Sequence, residues 1–125
     1  MAGKLSPVFA QDKRVLFAYL FGSVLRRKDA RDIDLAVCLA QNGDAWKTIQ
    51  SIAARIEKTL GYSAQVDAHA FNDAAPGFVF EILSSGRLLY ERDPDQRLDW
   101  EAHAVSKYQD IRPMLEFYDR DFLKR

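Results

Sequence analysis

The sequence has little of what marks several common protein classes. Cys38 is the only cysteine among 125 residues, which excludes an intramolecular disulfide framework and a multi-cysteine zinc site within one chain. No apolar run approaches the roughly 20 residues that a membrane helix needs. The N-terminal stretch MAGKLSPVFAQDKR lacks the long apolar core of a secretory signal. We therefore expect a cytoplasmic protein with no membrane partner.

Net charge is also absent. Eighteen Lys and Arg residues balance eighteen Asp and Glu residues, so the chain lacks the strong positive field on which nonspecific nucleic-acid binding depends. We therefore expect no direct nucleic-acid binding. There is no internal repeat, low-complexity tract or Gly/Ser linker, and we expect one domain spanning residues 1–125.

Apolar patterns predict strands interleaved with helices, which is typical of an α/β or α+β sheet covered by helices. Strands are predicted at 15–21, 32–39, 65–71 and 87–91, and helices at 43–60 and 76–84. A last helix begins near residue 94, where Asp93 and Pro94 are typical of a helix start, and Pro113 is expected to kink or break it. Trp46 lies on the amphipathic 43–60 segment and is expected in the core.

Two aspartates, Asp32 and Asp34, open the second predicted strand. Residues i and i+2 of a strand point to the same side, so both carboxylates lie on one face. Such neighbours repel and raise each other's pKa unless a cation neutralises them, and their hard oxygens suit Mg²⁺ or Mn²⁺. With thirteen aspartates the chain contains three Asp-x-Asp patterns, and those at 93–95 and 119–121 fit capping or solvated roles. A chance occurrence of the pattern therefore stays the alternative to a metal site at Asp32 and Asp34.

A Gly-Ser turn, Gly22-Ser23, follows the first predicted strand. Glycine allows a sharp turn and close approach to a ligand, and a serine hydroxyl with nearby amides can donate to phosphate oxygens. An ordinary turn is the alternative.

Asp67 lies in the third predicted strand, where an acid is disfavoured unless it has a partner. We expect it to pair across the sheet with Asp32 and Asp34; the alternative is a solvent-facing acid on an edge strand. His69 could face the same site, yet a structural role is the more common one for a lone histidine.

The segment FGSVLRRKDARDIDLAV resembles the signature of the DNA polymerase β-type nucleotidyltransferase superfamily: a Gly-Ser turn, a short loop, then Asp-x-Asp, with a third acid later. The small chain is most similar to minimal nucleotidyltransferase (MNT) antitoxins that are paired with HEPN-domain toxins. The resemblance implies a small mixed β-sheet flanked by helices. It also implies a catalytic core over residues 1–92 and a helical C-terminal tail over 93–125.

The resemblance also implies roles and partners. The superfamily residues that match Asp32, Asp34 and Asp67 are catalytic and bind metal, and those that match Gly22, Ser23 and Arg26 bind the nucleotide. Two Mg²⁺ ions, or Mn²⁺, would serve transfer of AMP from ATP to a tyrosine hydroxyl of a cognate HEPN ribonuclease toxin, held in a hetero-oligomer. The added AMP would silence the toxin.

A noncovalent antitoxin, which blocks the toxin by binding alone, is the rival interpretation. Arg27 and Arg31 stand where the superfamily pattern commonly has glycine and serine, and eight residues separate Ser23 from Asp32, about two fewer than usual in that pattern. The aromatic residues of the tail could then act as anchors on a partner, or close the protein's own core.

Overall fold

A computed structural model describes residues 2–22, 31–40, 43–72 and 74–123, with side chains from residue 3 to residue 116 of these ranges. Strands are interleaved with helices along them, as the sequence predicts. The helices are α1 (Ala2–Gln11), α2 (Ala45–Thr59), α3 (Pro76–Ser85) and α4 (Pro94–Leu123), and the strands are β1 (Val15–Phe21), β2 (Asp32–Leu39), β3 (Gln65–Ala70) and β4 (Arg87–Glu91).

The four strands form one mixed sheet in the order β3-β2-β1-β4. β1 is antiparallel to both of its neighbours, whereas β2 and β3 are parallel. A parallel pair requires a crossover connection, which α2 supplies. The predicted fold class, a small mixed sheet with flanking helices, is confirmed.

Each face of the sheet carries its own apolar layer. Alternate strand residues, among them Ala18, Leu35 and Val37, share a buried cluster with residues of α1 and α2. The intervening positions, among them Phe17 and Ala36, pack with α3 and with Trp100 of α4. The two central strands, β1 and β2, are mostly apolar on both faces because helices cover both.

The helix α2 shows which residues its amphipathic pattern buries. Asp44 caps its start by accepting from the Lys47 amide, and the helix gives way to Gly61 at a φ of 65°. Its buried stripe is Thr48, Ile49, Ile52, Ala53 and Ile56. Trp46 is 71% exposed, so the expectation that it lies in the core is wrong. It lies in the first turn of α2, ahead of Thr48, the first of the buried residues.

The helix α1 has no counterpart among the predicted elements. Its Leu5, Val8 and Phe9 are buried, at the spacing of one helical face. Arg92, which follows β4, holds the segment after α1 by donating from Nε to the Val15 carbonyl and from Nη2 to the Asp12 carbonyl.

The helix α4 continues through Pro113, so of the expected kink or break the break does not occur. Proline removes one N–H from the helical ladder, but residue 113 is exposed, where water can satisfy the carbonyl left over. Trp100 contacts Phe71 with 4.8 Å between ring centroids, and Tyr108 stacks on Phe80 at 4.2 Å. No helix within the described ranges is long and apolar enough to cross a membrane.

Candidate functional site

Asp34 and Asp67 face each other across two parallel strands. The pairing of β2 with β3 sets Asp34 directly opposite Asp67, and β1 sets Phe21 beside Asp34 on its other side. The predicted pairing of Asp67 with the β2 acid at Asp34 is therefore present in the geometry. Asp67 lies on an edge strand with its side chain 68% exposed, so the edge-strand placement weighed as its alternative also holds.

His69 completes a three-residue cluster with these acids. Its Nε2 lies 3.1 Å from Oδ2 of Asp67, and Asp34, Asp67 and His69 each offer one ligand atom within 4.8 Å of the others. Carboxylate oxygens with an imidazole nitrogen suit a divalent ion such as Mg²⁺, Mn²⁺ or Zn²⁺. The sequence signal for His69 was its i+2 position from Asp67, which shares a strand face.

Asp32 stands slightly apart. It is exposed at the start of β2 and lines the same open pocket as Asp34, Gln65 and Asp67. Among the described residues it is not one of the three whose ligand atoms converge within 4.8 Å. The side chain still shares the face of Asp34, so a cation at the pocket would have all three acids around it.

The surroundings of Asp34 disfavour the negative charge of its carboxylate. Partial burial raises the pKa of Asp34, the Asp67 carboxylate raises it further, and Asp32 adds to the effect, while His69 opposes it. A carboxylate whose charged form is disfavoured gains from a nearby cation. The donor set and its electrostatics both fit a divalent metal.

Gly22 leaves the space that Asp34 occupies. It follows β1 with a φ of 86°, a backbone conformation that residues other than glycine rarely adopt. A Cβ at this position would overlap Oδ2 of Asp34 and lie 3.2 Å from its Cγ. The turn and the acid are thus fitted to each other. Ser23 and Arg26, the other expected nucleotide-binding residues, lie outside the described residues.

Aromatic rings border the cluster. The imidazole of His69 lies 5.9 Å from the ring of Phe21 and 6.1 Å from that of Phe78, and the two phenyl rings are 5.5 Å apart in an edge-to-face arrangement. These contacts fix the His69 ring on the side of the site that faces α3.

Solved structures share this fold across nearly the whole chain. A toxin–antitoxin complex with AMP-PNP matches with a TM-score of 0.77 and 22% identity, covering 98% of each chain. An MntA–HepT toxin–antitoxin complex matches at 0.73 and 20%, covering 98% of this chain and 96% of the other. A tri-AMPylated Shewanella oneidensis HEPN toxin with its MNT antitoxin matches at 0.74 and 20%, with 98% and 95% covered.

At these identities the structural matches show the fold alone. No curated protein sequence matches the chain significantly. The family model for "Polymerase beta, Nucleotidyltransferase" matches residues 3–95, a stretch that contains the Gly22 turn and all three acids. The chain therefore belongs to the polymerase β nucleotidyltransferase family.

Proposed function

We propose that this protein is an MNT antitoxin that transfers AMP from ATP to a tyrosine hydroxyl of a HEPN-domain toxin. The observation that carries the proposal is the facing pair of Asp34 and Asp67, fitted against the Gly22 turn, in a chain of the nucleotidyltransferase family. The two carboxylates would repel the negatively charged triphosphate of ATP, so the nucleotide could bind beside them only with a cation in between.

Asp32, Asp34 and Asp67 are the proposed metal ligands and catalytic residues, with two Mg²⁺ ions as the expected occupants and Mn²⁺ as an alternative. Bound divalent ions would neutralise phosphate charge and favour deprotonation of an acceptor hydroxyl. The protein's part is to hold the acids on adjacent strands, so that their positions are set before substrate arrives.

The nucleotide is proposed to lie with its phosphates at Gly22, Ser23 and Arg26. In the transfer, the acceptor oxygen forms a bond to the α-phosphorus of ATP while the bond to the bridging oxygen breaks. Pyrophosphate leaves, and the hydroxyl proton passes to solvent. Gly22 keeps backbone amides close to the phosphates because it has no side chain in the way.

The partner is proposed to be a HEPN-domain toxin in a hetero-oligomer, in the cytoplasm. Matched complexes that pair an MNT antitoxin with an AMPylated HEPN toxin, or contain AMP-PNP, support this by analogy. The chain itself contributes two exposed apolar side chains on α4, Met114 at 54% exposure and Leu115 at 37%. Apolar side chains of this kind can serve as anchors on a partner protein.

Intact-mass spectrometry of the cognate toxin, after incubation with this protein, ATP and Mg²⁺, tests the proposal. We expect one or more added AMP groups with wild type and none with the double variant Asp32→Asn/Asp34→Asn. Asp99→Asn, an exposed acid on α4, is the matched control and should transfer normally. Full transfer by the double variant would contradict the metal assignment.

The exposed apolar residues of α4 favour a second candidate, the noncovalent antitoxin. In that case the same experiment returns an unmodified toxin whose ribonuclease activity is nevertheless inhibited. The double variant would then inhibit as well as wild type does, because binding through Met114 and Leu115 does not involve the acids.

A further inference from the structure

One edge of the sheet is open beside the carboxylates. Within the described ranges, β3 is an edge strand and pairs with β2 alone. The amides of Gln65 and Phe71 donate to the carbonyls of Arg31 and Val37, at 2.8 and 2.9 Å. In a parallel pair, every second residue of a strand directs both its N–H and its C=O to the neighbouring strand. On β3 these are the odd-numbered residues, beginning with Gln65. The backbone groups of Val66, Ala68 and Ala70 therefore point away from the sheet.

Among the described residues, the first of these outward amides has a hydrogen-bond partner. Glu57 of α2 accepts from the Val66 amide at 3.1 Å. The amides of Ala68 and Ala70 have no hydrogen-bond partner among the described residues. Open strand edges are normally covered, charged or used for pairing, and this one is covered at Val66 and left open where β3 passes His69.

Large side chains flank the open part of the edge. Trp46 of α2 borders it on one face of the sheet, and Phe78 of α3 with His69 borders it on the other, within one groove. The alanine side chains between them are small, so the groove reaches the backbone. His69 belongs both to this groove and to the carboxylate cluster, so the groove opens directly onto the site.

The order of the strands separates the groove from the Gly22 turn. Gly22 follows β1, and β2 with Asp34 lies between β1 and β3. In-line transfer requires the attacking oxygen and the leaving pyrophosphate on opposite sides of the α-phosphorus. With the phosphates at Gly22 on the β1 side and the α-phosphate near Asp34, the acceptor approaches from the β3 side.

We propose that the open edge of β3 is the acceptor-binding site, where a tyrosine-bearing segment of the partner protein adds as an extended strand. Its backbone bonds to Ala68 and Ala70, and its tyrosine lies on the face of Asp67 and His69, against the Phe78 ring. Trp46 packs on the flanking residues of the segment. Added strands combine main-chain affinity with side-chain selection in this way. The inference rests on the proposed function and specifies its acceptor side.

The variant Ala70→Pro tests the backbone contact. Proline is tolerated on an edge strand where its missing N–H would face outward, so the sheet should persist. We expect AMP transfer to the cognate toxin to fall by about tenfold or more, while the affinity for AMP-PNP with Mn²⁺, measured by calorimetry, stays within about twofold. Ala70→Ser keeps the amide and should transfer several-fold faster than Ala70→Pro.

The variant Trp46→Ala tests the side of the groove without touching the core, since this ring is 71% exposed. It should slow transfer and leave AMP-PNP affinity unchanged. Leu98→Ala, an exposed apolar residue on α4, is the matched control. Loss of AMP-PNP affinity on Trp46→Ala would mean that the groove holds the nucleotide base, and would overturn the proposal.

Amide hydrogen exchange supplies a readout that needs no chemistry. In a complex of the toxin with the Asp34→Asn variant, exchange at Ala68 and Ala70 should slow relative to the free protein, and a toxin whose acceptor tyrosine segment is deleted should not slow it. Unchanged exchange in a formed complex would overturn the proposal. Slowed exchange with no AMP transfer by wild type would support the docking site and contradict the proposed function.

Discussion

Gly22 and Asp34 are fitted to each other so closely that a single methyl group at Gly22 would overlap the Asp34 carboxylate. The hypothetical Cβ meets Oδ2 and lies 3.2 Å from Cγ, on a backbone with a φ of 86°. The turn that follows β1 and Asp34, the second acid of β2, therefore form one unit. The sequence pattern Gly-Ser…Asp-x-Asp has a steric reason in this contact.

Gly22→Ala should for that reason damage both stability and the site. The left-handed backbone alone costs about 1–2 kcal/mol for a residue with a Cβ, and the displaced Asp34 should weaken AMP-PNP binding. Urea denaturation and calorimetry measure the two effects. Gly3→Ala, where a Cβ meets nothing within 4 Å, is the control. Normal AMP-PNP binding by Gly22→Ala would refute the steric argument.

Asp34→Asn should stabilise the fold in a pH-dependent manner. The folded protein raises the pKa of Asp34 through burial and the neighbouring Asp67, so the native state binds this proton more tightly than the unfolded chain does. Wild type therefore loses stability as pH rises from the ordinary carboxyl range through the raised pKa. The variant lacks this loss, so its stability relative to wild type should be greater at pH 7 than at pH 3. Equal differences at both pH values, in denaturation without divalent ions, would contradict this.

Divalent ions should raise the melting temperature. An ion that binds only the folded state adds about 2.7 kcal/mol of stability at a concentration 100 times its dissociation constant. Mn²⁺ and Mg²⁺ should each raise Tm relative to NaCl of equal ionic strength, and Asp34→Asn/Asp67→Asn should remove the difference. An equal rise in that double variant would place the ion elsewhere.

His69→Gln should weaken Mn²⁺ binding. The imidazole contacts Asp67 and reaches the same ligand cluster, and losing a ligand or the partner that orients one costs about 10- to 100-fold in metal affinity. Because the His69 side chain is 43% exposed, the fold should survive. Calorimetric titration with Mn²⁺ decides the point, with His103→Gln on α4 as control. Unchanged affinity would leave His69 with a structural role.

Cys38 should resist thiol reagents in the native state. Burial raises the pKa of this thiol to about 12, so the reactive thiolate is scarce at pH 8. Labelling should be slow in buffer and complete within minutes in denaturant. Rapid labelling of the native protein would mean that β2 opens readily.

The strands and the facing acids could be predicted because strand alternation fixes which side chains share a face. Asp34 and Asp67 follow that rule, and a family resemblance supplied the rest of the site. The helix α1 escaped prediction because Pro7 lies inside it, in the second turn, where proline normally breaks or kinks a helix. The exposure of Trp46 depends on where α2 meets the sheet, and the continuity of α4 through Pro113 goes with the exposure of that residue. A linear pattern does not contain that information. The division into a 1–92 core and a 93–125 tail stays a prediction.

The long α4 helix has a consequence for how fast proteases would degrade the protein in a cell. Its first half is held by the contact of Trp100 with Phe71 and by the stack of Tyr108 on Phe80. Farther along the helix, Met114 and Leu115 are exposed. Proteases cleave a helix where it unfolds locally, and turns with few packed contacts unfold most readily. If the proposed partner covers these residues, a copy without it would be cleaved sooner than one in the complex, and the lifetime of the protein would depend on how much partner is present.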